Sequence, residues 1–169
     1  MAGKSHYSKT YAEARRRFVD AARLVGASVH SYRIRVDGDE ELSIDVAIQG
    51  PDDAPTIVTS SGVHGVEGYF GSAVQLSLLE RWRTYGCDNE TRHVLIHAVN
   101  PFGFSHLRRF NEENIDLNRN FLLPGDAYSG SPDGYARLNP SQILGLHRHR
   151  SSCSSRRQSG TLGVMVLHR

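Results

Sequence analysis

Between Thr56 and Val99 the chain follows an order that few folds accommodate. A short apolar run (Thr56-Ile-Val-Thr59) leads into a glycine-rich turn and then a helical pattern from Gly68 to Trp82. A loop over residues 84–91 follows, and then a second apolar run, Val94–Val99. Two short apolar segments joined by a crossover of this length imply parallel neighbours in one sheet, connected with a right-handed turn. Ile57-Val58 is short and wholly apolar, as expected of a strand buried on both faces. Phe70, Val74, Leu78 and Trp82 fall in one stripe, which is expected to be the buried side of the helix. In open α/β sheets the binding crevice lies outside the carboxyl ends of the strands. His64 and Glu67 follow the end of the first strand and Asn100 follows the second, so two loops are expected to converge on one edge.

The preceding residues supply a helix and a hairpin. Residues 8–26 place Ala14, Phe18, Ala21, Ala22 and Val25 at helical spacing, with Ser8 as the expected cap and Gly26 as the stop. Arg15, Arg16 and Arg17 are expected mostly on the solvated side. Val29–Val36 reads as a strand and Asp37-Gly38-Asp39 as a turn. Leu42, Ile44, Val46 and Ile48 then alternate with polar or small residues, so a β-hairpin with one buried face is expected. Gln49–Pro55 is a Pro/Asp loop. From Asn100 to Asn120 periodicity is lost while polar and aromatic residues crowd in, a pattern more typical of a functional loop than of a linker.

The 169 residues suffice for one domain with a real core, and 38% hydrophobic with 22% charged residues is ordinary for a soluble protein. No run approaches the ~18 apolar residues of a membrane span, and no secretory signal precedes the first helix. Cys87 and Cys153 belong to no CxxC pair, which argues against a disulfide framework or a thiolate metal site. The expected compartment is the cytoplasm. Charge is divided unevenly: residues 1–139 sum to −3, while residues 140–169 hold five arginines and no acid. Residues 147–157 contain four Arg, two His and four Ser, unlike anything upstream.

Chemistry concentrates in two motifs. His64-Gly-Val-Glu67 offers an imidazole and a carboxylate three residues apart, two of the ligands that a zinc ion takes. Gly62, Gly65, Gly68 and Gly71 let the backbone turn sharply there, and Glu67 is favoured near a helix start. The plainer alternative is a glycine-rich turn capped by Glu67. Neither GxGxxG nor GK[ST] is present, so nucleotide binding is not expected. The second motif, Asp116-Leu-Asn-Arg-Asn-Phe121, begins 49 residues after Glu67; its Asn118-Arg119 pair suits a carboxylate or a polarised carbonyl. The plainer alternative is an exposed loop in which Arg109 pairs with Glu112 or Glu113.

Ser61-Gly-Val-His-Gly-Val-Glu-Gly68, Asn100-Pro-Phe-Gly-Phe104 and Arg109-Phe-Asn-Glu-Glu-Asn-Ile-Asp-Leu-Asn-Arg-Asn-Phe121, in this order, resemble the zinc carboxypeptidase superfamily (carboxypeptidase A-like). Within it they look closest to a bacterial branch catalogued as a domain of unknown function. They are more distantly similar to succinylglutamate desuccinylases and aspartoacylases. The resemblance covers roughly residues 8–139. It implies an α/β fold with a mixed, mostly parallel sheet flanked by helices, here incomplete. It also implies His64 and Glu67 as zinc ligands, Arg109 as the catalytic group that polarises the scissile carbonyl, and Asn118 and Arg119 as the site for the substrate's terminal carboxylate. The implied reaction is hydrolysis of a peptide or amide bond by zinc-bound water. The implied substrate is a small peptide or acyl-amino acid with a free carboxylate.

The family also needs a third ligand and a later glutamate as general base. No acidic residue follows Asp133, and Glu112 and Glu113 match no base position. The candidates for the third ligand are His147, His149 and His168. Residues 1–139 are therefore read as the N-terminal part of such a domain. Residues 140–169 are read as an Arg/Ser-rich tail foreign to the fold, from truncation or a frameshift. Zinc is expected to bind weakly or not at all, and this chain to be inactive. The alternative is a non-catalytic carboxylate-binding fragment. A basic tail that binds nucleic acid is a lesser reading, because the tail lacks lysine and aromatic residues. Neither nucleic acid nor membrane is an expected partner.

Overall fold

The computed structural model describes residues 5–37, 40–123 and 125. The order is α1 (Tyr11–Leu24), β1 (Ser28–Asp37), β2 (Glu40–Gln49), β3 (Thr56–Ser60), a 3-10 turn at Gly65–Glu67, α2 (Gly68–Tyr85), β4 (Arg92–His97), α3 (Pro101–Ser105) and a second 3-10 turn at Leu117–Arg119. The expected boundary at residue 139, the tail, and His147, His149 and His168 lie outside the described residues. No helix among the described residues is long and apolar enough to cross a membrane.

The cap of helix α1 lies two residues later than Ser8, at Thr10, because Thr10 and Glu13 form a better cap. Thr10 Oγ1 accepts from Glu13 N–H at 3.1 Å, and the Glu13 carboxylate reaches back to Lys9 N–H at 2.8 Å. Ser8 instead accepts from Arg17. The helix closes with paired bonds, Gly26 N–H to Arg23 C=O and Ala27 N–H to Ala22 C=O, the Schellman arrangement.

The fold is α/β, with a mixed four-stranded sheet in the order β1-β2-β4-β3 and helices packed against it. The expected hairpin is present, with β1 and β2 antiparallel and Val29 opposite Ala47. Strand β3 runs parallel to β4, as expected of a crossover through α2. Parallel pairing is a smaller share than the resemblance implied. The hairpin edge β2 lies antiparallel to β4, so the β3–β4 pair is the parallel one among the described residues.

One sheet face is covered. Ala47 and Leu95 meet Phe18 and Ala22 of α1 and Leu79 and Trp82 of α2 in a continuous buried cluster. A second cluster, Tyr11, Ala14, Leu42, Ala98 and Phe104, extends this core toward α3. On the opposite face, the cross-strand pairs Val46–Ile96 and Ile48–Val94 are only half-buried.

Two sequence expectations fail here. Among the described residues strand β3 lies at the sheet edge, and Ile57 and Val58 are more than half exposed rather than buried on both faces. The stripe on α2 also misses its buried side: Phe70 and Val74 are exposed, while Ser72, Ala73, Gln75, Leu76 and Leu79 face inward with Trp82. A polar residue belongs on that inner side. Gln75 donates to Thr59 C=O and Ile96 C=O and accepts from Ser61 Oγ, joining the carboxyl ends of β3 and β4. The arginine row is likewise not uniformly solvated: Arg15 Nε donates at 2.9 Å to the buried Asp45 of β2.

Candidate functional site

The site forms where β3 and β4 end. Their pairing continues past the regular strands, with Ser61 N–H donating to Ile96 C=O, Val99 N–H to Ser61 C=O and Asn100 N–H to Gly62 C=O. Both chains then turn, Gly62 at φ 69° and Ala98 at φ 60°. The left-handed region is unusual for alanine, and it marks a backbone constrained by its surroundings. The two loops are then fastened together. Gly65 N–H donates to Arg108 C=O at 3.1 Å, and a Cβ on Gly65 would lie 1.8 Å from the carbonyl carbon of Gly103. Only glycine allows two backbones this close. Asn100 caps α3 by accepting from Gly103 N–H at 2.8 Å. The expected convergence of the two loops is thus observed.

His64 is the residue before the Gly65–Glu67 turn, so its imidazole stands at the mouth of the crevice. Its Nδ1 lies 3.6 Å from Glu67 Oε1, and its Nε2 lies 3.0 Å from Asp116 Oδ1. The His64 side chain is 11% exposed and that of Glu67 73%. Asp116 caps the Leu117–Arg119 turn by accepting from Asn118 N–H, and its other oxygen accepts from Arg109 Nε at 2.9 Å. Loss of water pulls the Asp116 carboxyl upward. The bonds from Arg109, His64 and Asn118 N–H outweigh this and hold it below the ordinary carboxylate range. Arg109 therefore pairs with Asp116 rather than with Glu112 or Glu113.

A cavity of about 290 Å³ opens beside these groups, and its lining includes Ser61, His64, Glu67, Phe70 and Asn118. Of the residues singled out in the sequence, His64, Glu67 and Asn118 meet in this cavity. Arg109 joins them through Asp116, and Arg119 is exposed on the adjoining turn.

The donor chemistry fits part of a metal centre. His64 Nδ1 and Glu67 Oε1 have the separation of two ligands on one tetrahedral ion, roughly 3.4 Å for bonds of ~2.1 Å. A ligating histidine characteristically donates its other ring N–H to a carboxylate, and Asp116 occupies that position. Among the described residues no third His, Cys, Asp or Glu atom joins His64 and Glu67 at ligand spacing.

Residues 7–164 match the model of a family described as "Protein of unknown function (DUF2817)". The chain belongs to this DUF2817 family. No curated protein matches it. Three solved structures from Shewanella, each named a "putative metallopeptidase", are similar to this DUF2817 chain. The one from S. amazonensis SB2B is 24% identical at a TM-score of 0.47, covering 79% of this chain and 50% of its own. That from S. baltica OS155 is 21% identical at 0.45, covering 79% and 50%. That from S. denitrificans OS217 is 18% identical at 0.44, covering 85% and 56%. The DUF2817 chain thus spans about half the length of the solved structures it matches.

Asp116 is the site residue that sequence reasoning left without a role. It opens the Asp116–Phe121 motif, yet its partner His64 is 52 residues away. The signal available was its place two residues before Asn118, where an aspartate caps a turn by accepting from the backbone.

Proposed function

We propose that this chain carries the metal- and carboxylate-binding part of a metal-dependent, peptidase-like hydrolase, with zinc as the ion and a peptide or amide bond as the target. The observation that carries the reading is the His64 imidazole, with Nδ1 beside Glu67 and Nε2 on Asp116. His64 and Glu67 would supply two of the ion's ligands. Asp116 fixes the ring orientation and, through Arg109, ties the second loop to the first. When bound, zinc supplies a polarising charge and a water acidic enough to attack at neutral pH. Asn118 and Arg119, on the turn beside the cavity, bind the carboxylate of a small peptide or acyl-amino acid. Arg109 presents its guanidinium to the carbonyl oxygen while Nε stays on Asp116.

Two ligands give weak metal binding, so this chain by itself is expected to show negligible hydrolysis. The test is a zinc titration followed by NMR of the histidine rings. The His64 signals should shift, and the shift of the Glu67 amide should vanish in His64→Ala. A His64 ring that stays unmoved by zinc refutes the reading. The two-donor geometry also favours a second reading, a non-catalytic carboxylate binder. That reading is supported if an N-acetyl amino acid shifts the Asn118–Arg119 amides in EDTA and no longer does so in Arg119→Ala.

A further inference from the structure

At the opposite end of β4 a different set of donors converges. Helix α2 ends at Tyr85, and Gly86, at φ 83°, turns the chain back toward the sheet. A positive φ there suits glycine, and it brings the next residue, Cys87, against the Phe18–Trp82 core cluster. Asp88 follows on the loop, where its Oδ1 accepts from Glu90 N–H at 3.1 Å and Thr91 also donates to the carboxylate. His93 enters from β4, in register with Gln49 of β2 and Ile57 of β3. Its ring lies 4.8 Å from the Trp82 ring, and its side chain is only 14% exposed. A helix end, a loop and a strand start thus each contribute one donor.

One atom each from Cys87, Asp88 and His93 lies within 4.8 Å of the other two, and His93 Nε2 is 3.1 Å from Asp88 Oδ2. A tetrahedral ion with bonds of ~2.0–2.3 Å holds its ligands roughly 3.4–3.7 Å apart. The Asp88–His93 pair need open only slightly, and the sulfur need approach by at most about 1 Å. Cys87 and His93 are anchored against the core and Asp88 by its loop bonds, so little ordering accompanies capture. We propose that Cys87, Asp88 and His93 form a second, independent site for a thiophilic divalent cation of the zinc class, with one coordination position open to solvent. The sulfur–nitrogen–oxygen set selects zinc or cadmium over magnesium and calcium, which take oxygen ligands. The site is separate from His64. Roughly 13 Å of extended strand separates His93 from His97, the last residue of β4 before the other crevice.

Cadmium tests the site, because a cadmium–thiolate bond gives an ultraviolet charge-transfer band that His64 and Glu67 cannot produce. The protein is the full chain with Cys153→Ser, which leaves Cys87 as the sole thiol of the two. One equivalent of cadmium should generate the band, zinc should displace it, and His64→Ala should leave it intact. Cys87→Ala should abolish it. Asp88→Asn, at an exposed position and so not expected to disturb folding, and His93→Ala should each weaken cadmium binding at least about 10-fold. No band, or a band whose affinity is indifferent to both Asp88→Asn and His93→Ala, overturns the proposal, the latter because it describes a simple thiol adduct. Failure here leaves the His64 reading intact, and the NMR titration fails or succeeds independently of it.

Discussion

Acid should weaken this fold well before its carboxylates titrate, through His97. This residue of β4 is fully buried, stacked at 4.7 Å on Phe18, with Nε2 3.0 Å from Ser72 Oγ. Its Nδ1 has no hydrogen-bond partner among the described residues. Burial pushes the imidazole from 6.5 down to about 4, against a partial upward pull from Asp45. Between those two values the unfolded chain takes up a proton that the buried ring refuses. The unfolded state then binds more protons, and stability falls as pH drops through the window. At about 1.4 kcal/mol per pH unit, the span from 6.5 to about 4 amounts to about 3 kcal/mol. That is a large part of the ~5–15 kcal/mol that holds a typical domain together. The depressed carboxyls of Asp116, Asp88 and Glu80 lose their contributions only at lower pH, so they leave this window to His97. Trp82, the only tryptophan, is buried in the same cluster and reports unfolding directly. Urea unfolding followed by its fluorescence at steps from pH 7 to 4.5 should show stability declining with acid, and His97→Gln should flatten that decline. A wild-type curve that is level over this range, or a His97 ring that titrates near 6.5 by NMR, refutes the argument.

Two further perturbations probe the architecture. Gly65→Ala places a methyl 1.8 Å from the Gly103 carbonyl carbon and 2.2 Å from Phe104 N, where only backbone could yield. A loss of about 3 kcal/mol or more is expected in urea unfolding, and unchanged stability would mean the two loops do not meet. Val58→Lys alters an exposed side chain on the edge strand β3. Stability should change by no more than about 0.5 kcal/mol, while light scattering should show less self-association, since a charge blunts an open edge. A strongly destabilised variant would show that this edge is covered.

What could be read from the sequence divides by the range of the interaction that decides each feature. The hairpin, the crossover helix and the placement of His64 and Asn100 just past two strand ends follow from local periodicity, and all are observed. The inward side of α2 is not legible from a hydrophobic stripe, which assumes that helices bury only apolar residues. Gln75 is buried because two strand carbonyls and the Ser61 hydroxyl await it, and those groups come together only in the folded sheet. The inward turn of Arg15 is hidden for the same reason, its partner Asp45 being on another element. The composition of Ile57-Val58 suits an interior strand equally well, because edge and centre differ only in strand order.

The same distinction governs the site. The individual donors His64 and Glu67 are legible because a three-residue spacing brings them together, whatever the rest of the fold does. Their orientation is not, because it rests on Asp116 bridging His64 and Arg109 across 52 and 7 residues. That carboxylate is held below its ordinary range by its partners, so near neutral pH it stays charged and keeps its hold on the ring. A neutral imidazole with one nitrogen engaged this way presents the other toward Glu67. In the proposed metal site the orientation of His64 therefore rests on a residue that is not itself a proposed ligand, and truncating Asp116 should disorder the His64 ring, seen as broadened or shifted ring signals in NMR.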